Sequence, residues 1–374
     1  MAAITFAVLI HMQHIKELDS LRTIAVFFVI VSHWLPHEHL LNTIQTGEIG
    51  VDIFFVLSGY LISGILIRQK MVMTNENVSL GSVLKKFYIR RSLRIFPIYY
   101  LVAIGLIIAD YFFVPYPGML GAKDHEWAYA LQLTNVAMWI AQQWFVFAAH
   151  LWSLAVEEQF YLIWPLLVLL WPWRAMPYLF PAIAALGIAS NYIIGPLTGH
   201  PLLVNLLTPT CFDAFALGGW LAYIQICKPE QLPAFKKLAL VAFLIVTPYW
   251  AVLNAQKVET ILPLRTLVSI SSLYLIVLLA LPTEGPKRNL LQRALNQPSL
   301  VFLGTISYGM YLYHFAMPLI FQAAVNRFGY ATSTLGPFVY VQFVASYSLL
   351  VLVAWLSFRF IERPINSLKN RFAY

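Results

Sequence analysis

Charge is what this sequence has least of. Only 11% of its 374 residues are Asp, Glu, Lys or Arg, 60% are hydrophobic, and the mean hydropathy is +0.73. Soluble chains carry about 25% charged and about 45–50% apolar residues. The shortfall excludes a soluble globular enzyme and a disordered chain, and it leaves a polytopic helical membrane protein. Cysteine is nearly missing as well. Cys211 and Cys227 fall in one apolar stretch, where sixteen helical residues hold them about 24 Å apart, too far to bridge. A disulfide scaffold is therefore excluded. The first ten residues lack the basic head of a signal peptide and read as a cytosolic or interfacial extension. There is no repeat of solenoid period and no low-complexity tract.

Hydrophobic length is what the chain does have. Segments near 18–36, 50–68, 93–114, 153–172, 176–195, 202–226, 236–254, 261–281, 300–322 and 338–360 approach or exceed the length that crosses about 30 Å of hydrocarbon. An eleventh, 127–149, contains Gln132, Asn135, Gln142 and Gln143. It reads as a re-entrant or interfacial segment, because amides at that depth need protein or a wet cavity to satisfy them. The expectation is an all-α bundle of about ten transmembrane helices, a single integral membrane domain over 1–374 with no appended soluble domain.

The net charge of +8 comes from 24 basic against 16 acidic residues. With the N-terminus inside, 20 of the 24 Lys and Arg fall on the cytosolic side; the remaining four are Lys123, Lys257, Arg265 and Arg327. That bias fits an N-in, C-in protein of the inner membrane, with no nucleic-acid partner.

Ionisable groups within membrane are costly, so each marks a candidate site. They are His33, Asp52, Glu157, Glu158, Asp213 and His314, with Asp19, Arg22 and Arg94 near the inner boundary. Arg22 and His33 are eleven residues apart, about 20° off three whole turns, so one helix face carries both over a rise of about 16 Å. Asp19 and Arg22 also suit an interfacial ion pair. Arg91 and Arg94 neighbour each other at a helix mouth while Arg90 points elsewhere; two guanidiniums there suit bidentate phosphate recognition, and equally serve as topogenic charge. A carboxylate beside an imidazole makes a general base, and Glu157 stands near enough to the outer boundary to partner His33. Of the adjacent glutamates, one is expected inward and one solvated or bonded to a neighbour. Asp213 needs a polar partner, and Gly218 and Gly219 permit close helix approach. His37-Glu38-His39 has no third ligand near it in sequence, so no metal site is expected.

These residues fall in blocks that resemble the membrane-bound acyltransferase 3 family over about 15–368. The blocks are Leu18-Asp-Ser-Leu-Arg-Thr-Ile-Ala-Val with His33; Gly50-Val-Asp-Ile-Phe-Phe-Val-Leu-Ser-Gly-Tyr-Leu-Ile62; Arg91-Ser-Leu-Arg-Ile-Phe-Pro97; Trp152-Ser-Leu-Ala-Val-Glu-Glu-Gln-Phe-Tyr161; Ser307-Tyr-Gly-Met-Tyr-Leu-Tyr-His314; and Glu362-Arg-Pro364. The resemblance implies transfer of an acyl group, acetyl by default, from cytosolic acyl-CoA to a hydroxyl of an extracytoplasmic carbohydrate. Acceptors of this kind are cell-surface polysaccharides, lipopolysaccharide O-antigen and peptidoglycan sugars. Arg22 and His33 match the family's Arg-ten residues-His motif, Arg91 and Arg94 its Arg-x-x-Arg motif, and Glu157 its acidic residue. Relatives often carry a basic residue just before the aspartate here numbered 213, whereas this chain has Cys211-Phe212. It also resembles members that consist of the membrane domain alone. The implied roles are His33 and Glu157 in catalysis and Arg22, Arg91 and Arg94 in holding acyl-CoA, with no permanently bound cofactor. The rival reading is a flippase or small-solute transporter in which His33 and Glu157 relay protons; inverted repeats would favour it, and the sequence shows none.

Overall fold

The computed structural model describes residues 14–36, 38–112, 121–146, 148–197, 201–256, 263–281, 290–327 and 338–372. His37 and the opening ten residues lie outside them. Everything regular among the described residues is helical, as expected where no water is available to satisfy backbone groups. The main helices are α1 (Lys16–Trp34), α2 (Thr46–Glu76), α3 (Leu80–Phe112), α4 (Glu126–Ala130), α5 (Thr134–Ala141), α6 (Leu151–Leu170), α7 (Met176–Ile194), α8 (Phe212–Cys227), α9 (Leu232–Gln256), α10 (Leu264–Ala280), α11 (Pro298–Thr305), α12 (Ser307–Tyr313), α13 (Ala316–Arg327) and α14 (Phe338–Ser357).

Among the described residues seven helices, alone or with their flanking turns, are long and apolar enough to span a membrane: Thr46–Glu76, Leu80–Phe112, Leu151–Leu170, Trp173–Leu197, Thr208–Cys227, Pro229–Gln256 and Phe338–Phe372. Three of the ten expected spans fall short for separate reasons. Helix α1 carries Lys16, Glu17, Asp19 and Arg22, and α10 has 17 residues. The 300–322 segment is broken into α11, α12 and α13. Pro318 accounts for the second break. It has no N–H for the carbonyl of His314, and that carbonyl accepts from Trp34 Nε1 instead, at 3.1 Å.

Helix α2 is the axis of the bundle. Its membrane-length window is 72% buried, against 22% for α3, and it packs against α1, α6, α8 and α10. Two glycines permit the closest approach. A Cβ on Gly59 would collide with the backbone of Phe215, and one on Gly218 with the carbonyl of Val56. The α2–α8 contact is therefore backbone against backbone, as small residues allow in membrane helices.

The 127–149 segment dips into the bundle and returns. At the far end of α3, Tyr111 bonds Glu126. About 16 Å back along the same helix, Tyr100 and Tyr99 donate to the carbonyls of Ala130 and Tyr129, each at 3.0 Å. The tip is held by protein amides: Asn135 Nδ2 donates to Leu206 O at 2.9 Å, and Gln159 Nε2 to Asn135 Oδ1 at 2.8 Å.

Candidate functional site

Two cavities lie against α1, one toward each of its ends. We call them the arginine and histidine chambers.

The arginine chamber encloses about 220 Å³ between α1, α2, α3, α6 and α12. Arg22 enters from α1, Arg91 and Arg94 from α3, and Glu157 and Glu158 from α6. The one-turn spacing of Arg91 and Arg94 brings both to this wall. Arg90, on another face, donates to the carbonyls of Lys369 and Phe372. Arg91 lies over the rings of Tyr161 at 5.3 Å and Phe87 at 5.7 Å, so its guanidinium plane is held by stacking. Arg22 is paired with Asp19. Glu157 accepts from Ser58.

Both Glu157 and Glu158 line the chamber, and Glu157 is the one bonded to a neighbour, Ser58. Adjacent helical residues differ by about 100°, and the chamber is wide enough between α2 and α3 to meet both.

The histidine chamber is larger, about 570 Å³. His33, Glu48, His150, Arg265, Trp152 and Phe315 are among its lining residues. His33 is exposed, and the space it meets is this chamber. Its Nδ1 lies 2.8 Å from the carbonyl of Val29 and 3.3 Å from His314 Nε2. His314 Nδ1 lies 2.6 Å from the carbonyl of Tyr311. Carbonyls only accept, so both Nδ1 atoms carry hydrogen. His33 Nε2 is then a bare lone pair, with no protein partner among the described residues. His150 stacks on Phe315, centroids 4.7 Å apart, and lies 4.9 Å from the His314 ring. Among the described residues neither His150 nitrogen makes a hydrogen bond of normal geometry, though the backbone of Leu312 lies near.

The structure therefore does not bring His33 and Glu157 together. Glu157 stands about 9 Å along α6 from its start, in the arginine chamber. The residue of that block at the level of His33 is His150. The tautomer of His33 is set by Val29 and His314, not by a carboxylate. Arg22, Arg91 and Arg94 are brought together. Arg22 and His33 face the two chambers from one side of α1, as their spacing requires.

Beside the histidine chamber lies a buried ionic cluster. Arg265 Nε donates to Asp52 Oδ1 at 2.6 Å, and its Nη1 to Cys211 Sγ at 2.7 Å. Its guanidinium stands 5.0 Å from the Phe55 ring. Thr266 Oγ1 donates to Asp213 Oδ2 at 2.5 Å. Counting Arg265 among outer topogenic charges is thus corrected: it is 5% exposed and belongs to the core. The cation missing before Asp213 in sequence arrives from α10. Arg265→Leu is expected to cost about 3–5 kcal/mol by stranding the Asp52 carboxylate, read as a lower unfolding temperature in detergent. The double variant with Asp52→Leu should recover most of it; equal instability in both would refute the pairing.

The chambers meet at Val51 and Tyr311, the two residues that line both. Tyr311 Oη lies 2.5 Å from Ser153 Oγ and 3.1 Å from the carbonyl of His150. Among the described residues, no three His, Cys, Asp or Glu converge as a metal site.

Sequence reasoning passed over His150, Glu48, Arg265 and Tyr311. The signal for Arg265 was arithmetic: Asp52 and Asp213 sat in apolar runs without a cation. For His150 it was position, one residue before the Leu151-Trp-Ser block.

The acyltransferase domain family matches residues 15–359. The chain is similar to a Staphylococcus aureus protein named "Putative O-acetyltransferase", 30% identical over 95% of this chain and 58% of that one. It is also similar to a peptidoglycan O-acetyltransferase of Listeria monocytogenes, 29% identical over 96% of this chain and 57% of the relative. The chain thus spans a little over half the length of these relatives. No solved structure matches it. With a match that takes in both chambers and all of α1 through α14, the chain belongs to the acyltransferase family.

Proposed function

We propose that the chain transfers an acetyl group from acyl-CoA, held in the arginine chamber, to a carbohydrate hydroxyl in the histidine chamber. The observation that carries this reading is the pair of adjoining chambers, one lined by three arginines and one by an imidazole with a bare Nε2. Arg22, Arg91 and Arg94 bind the CoA phosphates. The pantetheine arm rises along α1 and carries the thioester to the Val51–Tyr311 junction. His33 takes the acceptor's proton as its oxygen attacks the thioester carbonyl. Glu157 shapes the donor side through Ser58. The charge count supports the arginine end facing the cytoplasm of a cell with the protein in its inner membrane. The family match and the O-acetyltransferase names support acyl transfer, and the name of the Listeria relative favours a peptidoglycan sugar as acceptor.

The test is label transfer. Purified protein in nanodiscs receives acetyl-CoA labelled in the acetyl group and a panel of cell-wall glycan fragments. Label appearing on glycan supports the reading. Glycan or solute moving across a sealed vesicle with no label transferred would overturn it in favour of transport. Arg91→Ala should raise the KM for acetyl-CoA about tenfold or more, the loss of one charge-assisted contact, with the acceptor KM unchanged. A change confined to the acceptor would refute the donor assignment.

A further inference from the structure

We infer that His314 is a positioning residue for His33, and that together with the Val29 carbonyl it keeps the proton on His33 Nδ1 so that Nε2 stays free as the base. The inference rests on the reaction proposed above and adds a residue to it.

The geometry allows one consistent assignment of hydrogens. His314 Nδ1 donates to the Tyr311 carbonyl at 2.6 Å, which leaves its Nε2 as an acceptor. That acceptor lies 3.3 Å from His33 Nδ1, whose hydrogen is already directed at Val29 O at 2.8 Å. His33 Nδ1–H is shared between a carbonyl and an imidazole lone pair. The opposite tautomer of His33 would set its Nδ1 lone pair against both acceptors at once. Trp34 Nε1 fixes the far side of the same turn by binding the His314 carbonyl that Pro318 leaves free. The His314 ring is fully buried, so water does not substitute for it.

The consequence appears during the reaction. The acceptor O–H gives its proton to His33 Nε2 as the oxygen–carbon bond forms at the thioester carbonyl. The carbon–sulfur bond then breaks, and the CoA thiolate leaves with the proton returned from Nε2. Between those events His33 is a cation with two N–H groups. Its Nδ1–H bonds to Val29 O and His314 Nε2 strengthen at that stage, which favours the transition state over the resting enzyme. The other ionisable groups lining the chamber are His150, Glu48, Arg265 and Tyr311, and among the described residues none of them bonds His33.

The experiment uses the full chain in nanodiscs with acetyl-CoA and whichever glycan fragment takes label. His314→Ala should lower kcat about tenfold or more while both KM values stay within twofold. His314→Gln, whose amide oxygen also accepts a hydrogen bond, should restore kcat to within threefold. A purely structural role would instead lower the folded yield and respond to neither the kcat–KM split nor the Gln rescue. Nitrogen-15 NMR of histidine-labelled wild type provides a readout without any variant: His33 should show a protonated Nδ1 and a bare Nε2. A protonated Nε2 at His33, or a folded His314→Ala protein with wild-type kcat, overturns the inference. Absence of label transfer by wild type overturns the proposed reaction instead, and the tautomer measurement still decides the role of His314.

Discussion

His33→Ala is expected to lower acyl transfer by about 10²–10⁴-fold, the usual contribution of a positioned general base, with the protein still folded and inserted. The side chain is exposed to a chamber and meets the His314 and Phe315 rings at 5.0 and 4.7 Å, so its loss opens space continuous with that chamber rather than a closed cavity. Its Nδ1 bond to Val29 stays within one helix turn, and its tie to another element is the long 3.3 Å contact with His314. The fall should therefore appear in kcat while acetyl-CoA binding and unfolding temperature stay near wild type. A His33→Ala protein with more than a tenth of wild-type turnover would end the assignment. Glu157→Gln provides the contrast. Its carboxylate bonds Ser58 among the arginines, so its effect should fall on the acetyl-CoA KM. A kcat loss matching that of His33→Ala, with the donor KM unchanged, would restore a direct link between the two residues.

That contrast shows where sequence reading stopped. Angular spacing along one helix was legible: it placed Arg22 and His33 on one face of α1, grouped Arg91 with Arg94 and turned Arg90 away. Scarcity of charge was legible too, since a lone Asp52 or Asp213 in an apolar run demands a partner. Polar amides in 127–149 announced a segment that the bundle must satisfy, and Gln159 and the Leu206 carbonyl do so for Asn135. Depth was harder to read. The outer boundary of α6 looked close to Glu157, but the helix begins at Leu151, and six residues carry the carboxylate a chamber away from His33. Partners distant in sequence were harder still. Arg265 meets Asp52 across 213 positions and His314 meets His33 across 281. One chain's periodicity carries no information about such pairs.

Val51→Trp is the sharpest test of the two-chamber arrangement. Val51 stands on α2, 8% exposed, and lines both chambers opposite Tyr311. An indole there would fill the junction on the proposed route from the arginines to His33, while leaving those side chains themselves unchanged. Overpacking costs about 1–3 kcal/mol in a tight core, and less beside open chambers that give the ring somewhere to go. The expected result is transfer reduced at least a hundredfold, with acetyl-CoA binding and folded yield retained. Val51→Ala, which widens the junction, should keep transfer near wild type. Such a pattern belongs to a passage, because a purely structural valine would tolerate neither change or both. Full activity in Val51→Trp would mean that donor and acceptor meet by another route, and the arginine chamber would lose its claim to the donor.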